Sequence, residues 1–148
     1  MSDVFGEIVQ DKDGLIMPKV VADLTDAQRT DLTNGCGPQS MKVKLIPDSI
    51  DGVDFFSACE IHDCCYHFGA NDVDKRIADR CFLYNLLVLV DAHCAAAGVV
   101  DRVRRVAVRS VAFSYYKAVA DWGQSAFFAH KGGPNDPYDP AYPLKWKL

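Results

Sequence analysis

The chain has 148 residues, 49% of them hydrophobic, and a formal net charge of -4. That length suits one domain with a sizeable core, and the acidic balance argues against a general nucleic-acid binder. The longest apolar run, residues 86–90, is far too short to span a bilayer.

Residues 1–24 read as an irregular arm, broken at Gly14 and Pro18. The first seven residues have neither the basic end nor the apolar run of a signal peptide. Thr25-Asp-Ala-Gln28 has the form of a capping box and opens a short helix that should end near Asn34-Gly35. Asn34-Gly-Cys-Gly-Pro38 is a cluster of turn formers and reads as a tight loop. Residues 39–50 are expected to be extended or irregular.

From 51 to 68 the apolar residues fall at helical spacing. Phe55, Cys59, His62 and Tyr66 share one stripe, and Gly69 is placed to stop the helix. Asn71-Asp72 can cap a second helix that runs through Ile77, Phe82 and Leu86 to about Ala97, with Gly98 ending it. The very short turn between these two helices makes them antiparallel. A further helix spans roughly 101–122, and Gly123 follows. The tail from His130 carries Gly132, Gly133 and four prolines with aromatics between them, so it should be extended over the surface or partly disordered. At most one short hairpin is expected. The class is mainly α, in a single domain over 1–148. The parts are an arm and short helix (1–33), a core (34–98), a helix (99–124) and an extended tail (125–148).

The chemistry concentrates in Cys59-Glu-Ile-His62-Asp63-Cys-Cys65-Tyr66. On a helix, His62 and Asp63 point about 100° apart, so they face two different targets. The partner helix offers Asp74 and Asp79 to His62. A carboxylate on one ring nitrogen fixes the tautomer and leaves the other nitrogen as a base. Asp63 suits a hard cation, but one carboxylate is too few for Ca²⁺, which takes about six to eight oxygens. Carbonyls of the loop at 34–38 would complete such a shell, and a disulfide from Cys36 to the helix would hold that loop in place. The plainer readings are a satisfied core histidine, an ordinary turn and buried thiols. A zinc site from Cys59, His62, Cys64, Cys65 and His67 is a rival, but one helix directs these five side chains around its cylinder.

Six cysteines is an even count that favours disulfides and an oxidising destination. A leader already removed, a non-classical export route or delivery inside a particle would each reconcile this with the amino terminus. Residues 101–117 hold Arg102, Arg104, Arg105, Arg109 and Lys117 against Asp101 alone. Arg102, Arg105 and Arg109 lie along one helical face; Val99, Val103, Val106 and Phe113 lie on another. Such a basic face is either a contact for an anionic membrane or, more commonly, the solvated side of a packed helix. Phe127, Phe128, Tyr138, Tyr142 and Trp146 would form a lipid-interface patch or pin the tail to the core.

Together these residues resemble the secreted phospholipase A2 superfamily. The family's helix pattern, Cys-Cys-x-x-His-Asp-x-Cys-Tyr, is matched by Ala58-Cys59-Glu-Ile-His62-Asp63-Cys64-Cys65-Tyr66. The loop Asn34-Gly-Cys-Gly-Pro38 is similar to the calcium loop of the group XII branch. Arg76-Ile-Ala-Asp79-Arg-Cys-Phe82 is similar to the second helix of the bacterial and fungal branch.

The resemblance covers about residues 34–90. It implies two long antiparallel, disulfide-linked helices with a calcium loop, plus a C-terminal helix and tail. It implies a calcium-dependent hydrolase of lipid degradation that cleaves the sn-2 ester of glycerophospholipids at a peripheral membrane surface, in a secreted or otherwise exported protein. By the same resemblance His62 is the general base, Asp79 orients it and Tyr66 bonds to that aspartate. Asp63 and the carbonyls of Gly35, Gly37 and Gln39 hold Ca²⁺, and Cys36 pairs with Cys59. The chain departs from the pattern where Ala58 replaces a cysteine and Asn85 stands at its partner's place. Ala78 stands at the usual partner position of Cys65. Pro38-Gln39-Ser40 replaces the usual double glycine of the loop. The alternative is a catalytically weak member of the fold that acts as a lipid-binding, toxin-like or particle-associated protein.

Overall fold

The computed structural model describes residues 4–33, 49–50, 52–98 and 102–128. Its first element is a hairpin of β1 (Ile8–Gln10) and β2 (Ile16–Pro18), paired antiparallel with Ile8 opposite Pro18 and Val9 opposite Met17. Asp11 closes the turn, its Oδ1 accepting from the Asp13 and Leu15 amides at 2.9 Å each. Part of the arm expected to be irregular is therefore regular, and it continues into α1 (Lys19–Ala22). The Asp11-Lys-Asp-Gly14 turn was the signal for it.

The capping box is formed as expected. Thr25 Oγ1 accepts from the Gln28 amide at 3.2 Å, and Gln28 Oε1 accepts from the Thr25 amide at 2.9 Å. The helix it opens, α2 (Asp26–Leu32), stops short of Asn34. A second small hairpin joins β3 (Ser49–Ile50) to β4 (Val53–Asp54), so α3 (Phe56–Phe68) begins about five residues later than its apolar spacing implied. Asp54 Oδ1 meets the first free amide, that of Phe56, at 2.8 Å. Asn71 caps α4 (Asp72–Ala96) by accepting from the Val73 and Asp74 amides. Two more helices follow, α5 (Arg102–Trp122) and α6 (Gln124–Phe128). The described residues are mainly helical.

Helices α3 and α4 run antiparallel. Tyr66, late in α3, faces Lys75, early in α4, while the earlier His62 stacks on the later Phe82 with centroids 4.5 Å apart. They were expected to be disulfide-linked, but they are not, since Cys81 and Cys94 of α4 are free thiols. Apolar packing holds the pair instead. Cys59, Phe82, Leu86 and Val90 pack with Val108, Ala112, Tyr115 and Val119 of α5. On the other flank Ile61, Cys64, Cys65 and Phe68 pack with Phe5, Leu15, Met17 and Val21. Each such side chain contributes about 1.5–3 kcal/mol on leaving water.

Asn85, in the place of a bridging cysteine, has another use. It is 0% exposed, takes the Ile16 amide on Oδ1 at 2.7 Å and gives its Nδ2–H to the Ile16 carbonyl at 2.8 Å. The side-chain amide thus treats β2 as a neighbouring strand would.

The sequence separated an arginine face of α5 from a valine one without assigning the packed side, and the structure packs a third stripe. The packed stripe is Val108, Ala112, Tyr115 and Val119, with Tyr115 edge-on to Phe55 at 5.5 Å. Val103, Val106 and Phe113 are exposed, Val103 by 78%. Both stripes have helical period, but only the one containing the small Ala112 lets α5 approach α4 closely.

Residues 124–128, the start of the expected extended tail among them, form α6 instead. Phe127 and Phe128 are buried there and pin α6 to the core. Tyr138, Tyr142 and Trp146 lie outside the described residues. Gly69 does follow α3, but its φ is -60°, so a left-handed cap is not the reason for it. A Cβ there would lie 2.6 Å from the Phe127 ring, and glycine is what lets α6 close over the α3–α4 turn.

Candidate functional site

The centre of the α3–α4 interface holds a buried polar cluster. His62 lies in the middle of α3 and is 6% exposed; Asp79, on α4, is 3% exposed. His62 Nε2 is 2.8 Å from Asp79 Oδ1. Tyr66, one turn after His62, donates its Oη–H to the same oxygen at 2.8 Å. The His62 ring lies between Phe82 and Tyr66, with centroids at 4.5 and 4.1 Å. Aromatic walls restrict the ring to small movements.

Burial works to raise the Asp79 carboxyl, but the bond and charge of His62, then bonds from Lys75 and Tyr66, outweigh it. They hold Asp79 below the usual carboxylate range. An ionised carboxylate only accepts hydrogen bonds, so Nε2 of His62 must be the donor. In its neutral form the imidazole is then the Nε2–H tautomer, with the lone pair on Nδ1. Tyr66 is pushed well above its ordinary value, first by burial, then by the charge and hydrogen bond of Asp79. It stays a phenol and a donor.

Of the two carboxylates offered to His62, Asp79 meets it. Asp74 turns away and accepts from the Ala70 amide at 2.7 Å, bracing the α3–α4 turn. Asp63 is half-buried beside His62 on α3. Cys59 is disulfide-bonded. The expected partner Cys36 and the expected carbonyl ligands Gly35, Gly37 and Gln39 lie outside the described residues. The zinc reading is not assembled: Cys59 is in a disulfide, His62 Nε2 is on Asp79, and the described residues hold no group of three metal-ligating side chains.

Sequence reading missed Lys75. It is 5% exposed, and its Nζ lies 2.8 Å from Asp79 Oδ2. Nζ also donates to the carbonyls of Val119 at 3.0 Å and Ala120 at 3.4 Å, in the last turn of α5. The signal was its position: Lys75, Ala78, Phe82 and Leu86 form one stripe at helical spacing, and the other three are apolar. Gly123 closes the far side. A Cβ there would collide with the Val119 carbonyl and lie 2.6 Å from Tyr66 Oη.

The arrangement provides an imidazole whose Nε2–H is fixed on an ionised carboxylate, and both oxygens of that carboxylate have partners. Chemically it can take a proton from a water at Nδ1. No protein family, no curated protein and no solved structure matches the chain.

Proposed function

We propose that the protein is a calcium-dependent phospholipase A2 that hydrolyses the sn-2 ester of glycerophospholipids. The observation that carries this reading is the 2.8 Å contact of His62 Nε2 with Asp79 Oδ1, shared by Tyr66. It orients a base through its Nε2–H and leaves Nδ1 for a proton, which suits direct attack by water. In the reaction Nδ1 of His62 takes a proton from water as that water attacks the ester carbonyl, and later gives it to the leaving alkoxide. Asp79 stabilises the imidazolium in between, and Tyr66 keeps Asp79 from rotating. Asp63, a hard oxygen donor one residue from His62, fits one ligand position for Ca²⁺; Gly35, Gly37 and Gln39 would supply the carbonyls. When bound, that ion supplies Lewis-acid stabilisation of the developing oxyanion.

An anionic bilayer is the surface on which such an enzyme would work. The exposed Val103, Val106 and Phe113 of α5, beside the exposed Arg102 and Arg104, support that partner. Among the described residues no helix is long and apolar enough to cross a membrane. The disulfide at Cys59 supports an exported destination.

The test is release of the sn-2 fatty acid from phospholipid vesicles, with Ca²⁺ or with a chelator. Release that needs Ca²⁺ and is lost in His62→Asn supports the reading. Activity that survives chelation overturns the mechanism. Vesicle binding without release under any lipid composition replaces the enzyme by the catalytically weak lipid-binding alternative.

A further inference from the structure

Lys75 takes no part in the steps above, yet among the described residues it is one of the most buried charged groups. Among the described residues three Lys–Asp pairs have the same four-residue spacing. Lys19–Asp23 and Lys117–Asp121 are exposed on the surface, where such pairs contribute little. Lys75–Asp79 is buried, with side-chain exposures of 6% and 4%. A lysine leaves water only where its N–H groups are met. Three oxygens meet this one: Asp79 Oδ2 and the carbonyls of Val119 and Ala120. The two carbonyls belong to the negative end of the α5 dipole.

The terminal torsion of an aspartate is broad, so bonds to its oxygens must set the carboxylate plane. Asp79 divides them, with Oδ1 to His62 and Tyr66 and Oδ2, among the described residues, to Lys75 alone.

We propose that Lys75 is a positioning residue of this site: by holding Oδ2 it keeps Oδ1 on His62 Nε2, and it makes the last turn of α5 part of the scaffold. The buried pair of Lys75 and Asp79 carries no net charge, so it can rest away from water. The kinetic part of the proposal rests on the hydrolase reading; the structural part does not.

Lys75→Met keeps the length of the side chain and removes every donor. Heteronuclear NMR of the His62 ring, at one fixed pH, reads its tautomer and N–H exchange without any substrate. The wild-type chain should show a single Nε2–H tautomer. Lys75→Met should show mixed tautomers, with N–H exchange faster by about tenfold or more. In sn-2 hydrolysis Lys75→Met should lower kcat about tenfold and leave KM within about twofold. That loss should disappear when both chains also carry Asp79→Asn, because Lys75 acts through Asp79. Lys75→Leu, which also has no donor, gives the same comparison where the methionine variant does not fold.

Unchanged His62 signals in a folded variant, unchanged kcat, or losses that multiply with Asp79→Asn would each overturn the proposal. A wild-type chain with no lipolysis sinks the hydrolase reading, and the ring spectrum still decides on Lys75.

Discussion

Gly123→Ala tests whether the α5–α6 corner belongs to the site. The added Cβ would meet Tyr66 Oη at 2.6 Å, against ordinary contact at 3.4 Å, so the phenol must retreat by about 0.8 Å. The Tyr66–Asp79 bond is 2.8 Å long, and a displacement of that size is enough to break it. The same Cβ collides with the Val119 carbonyl, which is also an acceptor of Lys75. A hydrogen bond to a charged group contributes about 1.5–3 kcal/mol; loss of the lower figure from the transition state slows kcat somewhat more than tenfold. Overpacking of this kind also costs about 2 kcal/mol of stability, or about 6 °C in Tm for a chain of this size. The assay is sn-2 hydrolysis beside a thermal melt, for Gly123→Ala, Tyr66→Phe and the double variant. The glycine change should add little to kcat once Tyr66 has lost its hydroxyl. Full activity in Gly123→Ala, with Tm unchanged, would show that the corner yields freely and that the close approach has no bearing on the site.

Four further outcomes are expected. Asn85→Leu leaves the Ile16 amide and carbonyl without their partner; at about 1–2 kcal/mol for each partly buried group, Tm should fall by about 6–12 °C while catalysis persists. The folded Asp79 carboxyl lies below its unfolded value of about 3.9, so its stabilisation is complete above that value and disappears as pH falls through the lower folded one. Melts of the wild-type chain should therefore be steady above about pH 5 and drop steeply below about pH 4, with Asp79→Asn lower at neutral pH and flatter in acid. Burial pushes the Cys65 thiol far up and the Cys81 thiol up to about 11, so iodoacetamide at neutral pH should label neither in the folded chain and both after denaturation. Val103→Glu with Phe113→Glu should weaken sedimentation with anionic vesicles at low salt and leave binding of a monomeric short-chain lipid unchanged.

The elements that sequence made legible were those with chemistry at their ends or a strong period. Thr25 and Gln28 marked α2 by their capping box, and Asn71 marked α4. His62, Tyr66 and Asp79 were legible because a helix fixes the spacing of the first two and a short turn brings the third alongside. Lys75 was not legible in the same way. A lysine four residues before an aspartate reads as a solvated surface pair, and only tertiary packing by α5 turns it inward. The packed face of α5 was not legible for a related reason. Val103, Val106 and Phe113 have as good a period as Val108, Ala112, Tyr115 and Val119, and the choice depended on how closely Ala112 lets another helix approach. The late start of α3 was hidden because Phe55 and Val53 face the core from a hairpin as readily as from a helix.

Lys75 also sets an order in time. During synthesis the segment bearing His62, Tyr66 and Asp79 leaves the ribosome well before Val119 and Ala120 do. Until those two carbonyls arrive, the ammonium has one of its three acceptors, and Gly69 has no Phe127 ring against it. A nascent chain would thus carry the chemical groups of the site in an unfinished setting. Competence would come only when α5 and α6 dock, so the site is finished by elements made well after its own chemical groups.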